Sequence, residues 1–146
     1  MITRPSTVLR KARDIIAEGK WCKGTERMIG PDGDKFCAIG ATAEAVGADW
    51  SSWGSDSAKA DAEVTDLPWL VRQAKLGADE ILDDVVHERT NGKFGSIVSY
   101  NDHKHRQRRH VLAVFDEAIK VAEQEERDAR NRARRIARRQ ATLAVK

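Results

Sequence analysis

The sequence predicts a mainly α fold: three to four helices packed around one short apolar helix, with a short irregular or two-stranded element and a long basic helix at the C-terminus. Three observations carry this. Apolar residues recur at helical spacing in separate stretches. Strong turn chemistry lies at Gly30-Pro31-Asp32-Gly33. The last twenty residues combine Arg and Ala, both good helix formers.

Residues 36–47 are the organising stretch. Phe36, Ile39, Ala43 and Val46 share one helical face, with Asp34 placed as an N-cap and Gly47 as the residue that closes the end. Cys37, Gly40 and Ala41 lie on the other face. A glycine inside a helix costs roughly 1 kcal/mol relative to alanine, so Gly40 predicts a bulky neighbour packed close against it.

Residues 5–19 read as a helix, with Val8, Leu9, Ala12, Ile15 and Ile16 as its stripe, Pro5 in the first turn and Gly19 at the end. Around the turn at 30–33, two short strands or an irregular loop both fit. Residues 48–65 have no sustained period and form a loop whose Trp50 and Trp53 are expected to tuck against the core. A further helix starts near Asp66, capped by Thr65 or Asp66 with Pro68 in its first turn, and Gly77 is a point where it can divide. Ala78, Ile81, Leu82, Val85 and Val86 make its clear face, and Asn91-Gly92 ends it. Residues 93–100 look extended. Asn101 or Asp102 then caps the longest helix, whose Val111, Leu112, Phe115, Ala118, Ile119 and Ala122 face the core. Beyond Ala122 the stripe thins, i,i+4 ion pairs Glu123–Arg127 and Glu126–Arg130 are expected, and the helix runs to about Ala141 as a solvated rod.

At 146 residues the chain is one domain with an extension, divided as 1–126 and 127–146. The formal charge of +3 hides an asymmetry. Residues 127–146 carry eight basic groups and one acidic, +7, while the preceding residues carry 18 basic and 22 acidic, −4. A mildly acidic body with a basic tail points to an anionic partner for the tail. No run of eighteen apolar residues exists, so no membrane span is expected. The first residues lack the apolar block of a signal peptide, so a cytoplasmic location is expected. Cys22 and Cys37 allow one disulfide but do not require it; a reduced pair is the default for that compartment.

Cys37, near a helix start, is the one nucleophile candidate, because aligned N–H groups there favour thiolate. His87, His103, His105 and His110 are the available bases, with Asn101 or Asp102 to orient one of them. The plainer reading of Cys37 is a small buried hydrophobe. Neither Cys-x-x-Cys nor His-x-x-x-His occurs, so no metal site is assigned, and no cofactor is indicated. Residues 103–110 form a basic patch placed in the first turns of the long helix, with Lys104, Arg108 and His105 near one face. Cations conflict with the dipole of a helix N-terminus, which points to phosphate binding there; a solvated face is the alternative. The strongest functional signal is the tail. Arg127, Arg130, Arg134, Arg135, Arg138 and Arg139 can lie along a phosphate backbone. No aromatic residues interleave with them, so base stacking is not indicated. Ile136, Leu143 and Val145 give too little apolar face for a membrane surface.

A pattern runs through the chain: Trp21-Cys22-x-Gly24, Cys37-Ala38-x-Gly40-Ala41, Ser96-Ile97-x-x-Tyr100-Asn101-Asp102, Val111-Leu112 and Phe115-Asp116-x-Ala118-Ile119. In order and spacing it resembles a family of small domains of actinobacteria and their phages to which no activity is attached. The resemblance covers roughly residues 8–122. Other members often have Trp before the Asn-Asp and an Arg-Thr pair after it, where this chain has Tyr100 and the stretch 103–109. The resemblance implies a mostly helical fold and a phage or host-accessory setting, and no mechanism. The resulting expectation is a non-enzymatic phage-type accessory protein in the host cytoplasm, binding nucleic acid or another anionic partner through its Arg-rich helix. The alternatives are a modulator that binds a host or virion protein through Trp50, Trp53 and the acidic body, and a cysteine hydrolase built on Cys37. Oligomeric state is not readable from the sequence.

Overall fold

The computed structural model describes residues 1–51 and 63–145. Among them are five helices and one two-stranded antiparallel sheet: α1 (Pro5–Ala17), β1 (Arg27–Met28), β2 (Lys35–Phe36), α2 (Ala38–Ala45), α3 (Trp69–Arg89), α4 (Ile97–Asp102) and α5 (Arg108–Val145). The fold is therefore mainly α, with the short hairpin and the long basic C-terminal helix in their expected places. β1 and β2 pair Arg27 with Phe36 and Met28 with Lys35. Trp53 lies outside the described residues.

α1 is the hub. It packs against α2, α3 and α5, and its Val8, Leu9, Ala12 and Ile16 are buried. Across from them lie Val71, Ala74, Ala78, Leu82 and Val86 of α3 and Val111, Val114, Phe115 and Ala118 of α5. Local stop signals place the helix ends well. Gly19, Gly47 and Gly92 follow α1, α2 and α3 with φ of +89°, +79° and +80°, the left-handed conformation that glycine adopts without strain.

α2 is shorter than expected and starts at Ala38. Its N-cap is Cys37, whose Sγ accepts from the Gly40 N–H at 3.4 Å. Asp34 instead pairs with Arg27 across the hairpin. The bulky neighbour of Gly40 is main chain. A Cβ at this position would stand 1.8 Å from the Glu26 carbonyl oxygen, the same oxygen that accepts from the Cys37 N–H at 3.1 Å. Only glycine lets the hairpin cross α2 this closely.

Three further expectations change. α3 is continuous through Gly77, where a Cβ would come within 3.0 Å of the Pro5 ring, so this glycine admits the start of α1 and does not divide the helix. Residues 97–102 are helical, capped by Ser96, whose Oγ accepts from the Ser99 N–H. Asn101 and Asp102 therefore belong to α4 and do not cap α5. Asn101 is fully buried and uses all its hydrogen-bonding capacity. Its Oδ1 accepts from Trp21 Nε1 at 2.8 Å and from the Ala38 N–H at 3.2 Å. Its Nδ2 donates to the Cys22 carbonyl at 3.1 Å and to Asp102 Oδ1 at 2.9 Å. Asn101 is thus a cap after all, of α2, across a gap of 63 residues.

α5 has 38 residues, about 57 Å at 1.5 Å per residue. Its buried residues end at Ala122. Side-chain ties to α1 continue four residues further: Glu123 pairs with Arg10, and Glu126 Oε1 accepts from Ser6 Oγ at 3.0 Å. These interactions turn both glutamates toward α1, so the expected intrahelical pairs with Arg127 and Arg130 do not form. From Arg127 to Ala144 every residue is exposed, and the helix continues to Val145.

Candidate nucleic-acid interface

The distal half of α5 is a single exposed helix standing off the body. It carries Arg127, Arg130, Arg132, Arg134, Arg135, Arg138 and Arg139, and Asp128 is its one acidic residue. Asp128 accepts from Gln124 Nε2 at 2.9 Å and Arg127 donates to Gln124 Oε1 at 2.8 Å. No ion pair engages Arg130, Arg132, Arg134, Arg135, Arg138 or Arg139 among the described residues. At 100° per residue the arginines spread over the solvent side and its flanks. Ala129, Ala133, Ile136, Gln140 and Leu143 continue the face that Val111, Phe115, Ala118 and Ala122 turn to the core. Ile136 and Leu143 on that face are 57% and 70% exposed.

Lys104 and Arg108 sit elsewhere. Arg108 begins α5, about 39 Å along the axis from Arg134, and Lys104 lies in the turn before it. The two do not share a helix face with His105, because α4 ends at Asp102 and the chain leaves it extended at His103 (φ −61°, ψ 138°). Arg108 reaches back to the end of α1, where its Nη1 lies 3.2 Å from a Cβ built on Gly19, a favourable place for a cation.

The turn also brings residues of the basic stretch 103–110 together with side chains from elsewhere in the chain. Arg106 lies 3.6 Å from the Tyr100 ring centroid, and its Nε donates to the Tyr100 carbonyl at 3.0 Å. Phe94 meets Tyr100 and His103 edge to face at 5.7 and 5.3 Å. Lys23 Nζ donates to the His103 carbonyl at 2.9 Å. No local pattern marks this group, since it draws on three separate stretches of chain. His103 is held below its usual pKa by partial desolvation and then by Arg106, His105, Lys93 and Lys104. His110 is lowered in the same way, by desolvation and then by Arg109, Arg106 and Lys23.

The other candidates are placed as follows. Cys22 and Cys37 are free and buried. Burial pushes the Cys37 thiol up to about 12, against the smaller opposing effect of the Gly40 N–H. It pushes the Cys22 thiol up to about 11. At neutral pH neither thiol is a thiolate nucleophile. Trp50 is half-buried: its ring lies 5.7 Å from Phe36, its Nε1 donates to Glu44 Oε2 at 2.7 Å, and Arg27 lies over it at 5.2 Å. Among the described residues, no three His, Cys, Asp or Glu side chains group as metal ligands, and no helix is long and apolar enough to cross a membrane.

No curated protein and no solved structure matches the chain. A family model does, and its match stops one residue short of Ala122, the last buried residue of α5, so the exposed arginines lie outside it. With residues 1–121 matched, the chain belongs to the family of unknown function DUF6197.

Proposed function

We propose that this is a non-enzymatic accessory protein, of phage type, that binds nucleic acid through the distal half of α5. The observation that carries the reading is the set of six arginines without an acidic partner on an exposed helix. A helix of this kind attracts a phosphate backbone by releasing its counterions, with a steep dependence on salt. The arginines spread around the helix and bring no aromatic side chains, so this surface would hold backbone and not discriminate sequence. The phage or host-accessory setting comes from the family resemblance, and the cytoplasmic location from the absence of a signal-peptide apolar block in the first residues. The test is titration of a labelled duplex against the full chain and against a chain ending at Glu126. Salt-sensitive binding by the first and none by the second is expected; equal binding by both would overturn the reading.

One observation favours a second reading, docking to an acidic protein surface. The exposed stripe of Ala129, Ala133, Ile136 and Leu143 has no use in holding phosphates. A partner recovered from nuclease-treated host lysate only when residues 127–146 are present would support it; loss of every partner after nuclease treatment would count against it. The hydrolase reading draws no support from a buried thiol pushed up to about 12.

A further inference from the structure

We propose that the α4–α5 turn is a second nucleic-acid contact that takes a single-stranded segment, one base stacking on the histidine rings and its phosphate held by the surrounding cations. This rests on the reading of the protein as a nucleic-acid binder and adds to it which form of nucleic acid is held and where.

Three observations carry the inference. The first is a row of rings that runs from the core to the surface. Tyr100 is buried, Phe94 and His103 are half-buried, and His105 is exposed. Successive centroids lie 5.7, 5.3 and 5.4 Å apart. The inner end of the row is locked by Arg106 against Tyr100, so the outer rings are presented on a fixed base. His103 Nδ1 accepts from the His105 N–H at 3.4 Å, which further couples the two outer residues. Base stacking on such a platform tolerates any sequence and needs an unpaired base.

The second observation is charge. Lys93, Lys104 and Arg106 surround the row, and none has an acidic partner among the described residues. The nearby carboxylate of Asp102 is already engaged, accepting from the Gly24 N–H at 3.0 Å and from Asn101 Nδ2 at 2.9 Å. Lys93 and Arg106 lie over Phe94 at 5.8 and 5.2 Å, so cation and ring alternate here as they do not in the tail. The third is placement. These cations sit beside the N-terminus of a 38-residue helix, whose dipole adds to the positive potential. Like charges gathered there oppose folding unless something negative joins them. An anion at the turn relieves that repulsion.

The test uses the full chain and fluorescence anisotropy with two probes, an oligothymidylate of about twelve nucleotides, within the range one such surface covers, and a duplex of equal length. Two turn variants alter exposed side chains only: Lys104→Gln with His105→Ala, and Lys93→Gln. A tail variant carries Arg134, Arg135, Arg138 and Arg139→Gln. Both turn variants should bind the single strand about tenfold more weakly, ~1.4 kcal/mol, and the duplex nearly as the parent does. The tail variant should lose affinity for both probes. Turn variants that bind the single strand like the parent would overturn the inference and leave the tail reading standing. An equal loss on both probes would also overturn it, reducing the turn to a plain phosphate site. A parent that binds neither probe would remove both readings.

Discussion

Up to Ala122, α5 buries Val111, Val114, Phe115, Ala118 and Ile119; beyond Glu126 the same unbroken helix buries nothing and carries seven arginines. The proximal half is held by tertiary packing. The distal half is held by propensity and by continuation from an anchored stretch. Starting a helix is the costly step, and each added residue costs little when it is Ala or Arg. The body supplies the start, so the distal sequence is free to be set by charge. The family match ends where packing ends, so the family relation covers the body and leaves out the tail arginines.

That contrast is broken most forcefully at Gly40. Gly40→Ala places a Cβ 1.8 Å from main-chain oxygen, and neither partner is a flexible side chain. It should destabilise the body by about 3 kcal/mol or more, read by urea unfolding, while Arg134→Ala changes stability by less than about 0.5 kcal/mol. Comparable effects at the two positions would erase the distinction.

Next in size is Asn101. Asn101→Ala leaves Trp21 Nε1, the Ala38 N–H and the Cys22 carbonyl without this partner. Buried groups left unpaired cost roughly 1–3 kcal/mol each, not fully additively, so a loss of about 3 kcal/mol is expected from the same unfolding curves. A loss under about 1 kcal/mol would mean that water replaces the side chain without penalty.

The thiols give a pH test. Their folded pKa values, about 11 and 12, lie above the ordinary thiol value near 8.5. A raised folded pKa means that the stabilising contribution is complete below the unfolded value and is lost as pH rises through the folded one. Stability should therefore decline between roughly pH 9 and 12, and at pH 8 a thiol reagent should label the protein only after unfolding. Rapid labelling of native Cys37 at pH 8 would show an accessible thiolate and reopen the cysteine reading. The smallest effect belongs to the tail. Ala133→Gly should lower its helicity, at about 1 kcal/mol of propensity, seen as weaker far-ultraviolet circular dichroism without a shift in the body's unfolding midpoint.

What can be read from the sequence divides along physical lines. Stop signals are local chemistry, and Gly19, Gly47 and Asn91-Gly92 mark their helix ends. The apolar stripes of α1, α3 and proximal α5 are equally plain, because helical periodicity is a local pattern. Gly40 announces a close neighbour but cannot say that it is the main chain of Glu26. Cys37 as a cap is hidden behind the more ordinary candidate Asp34. Asn101 resembles the cap of the following helix, whereas its partners lie 63 and 80 residues earlier. α4, six residues long, is too short to show a period, and reading it as extended moves the basic stretch at 103–107 onto α5. The tail arginines need only composition, while the ring row of Tyr100, Phe94 and His103 needs the fold to assemble it.

The most direct test of the central claim, that the distal half of α5 binds nucleic acid and does not hold the fold, is a salt titration of duplex binding. The parent is compared with the Arg134, Arg135, Arg138 and Arg139→Gln variant, and thermal unfolding is followed in the same samples. The parent should lose affinity linearly in log salt. The variant should bind more weakly, with a slope shallower by about 0.9 for each phosphate it no longer neutralises, and the two melting curves should coincide. Unchanged affinity and slope in the variant would contradict the account.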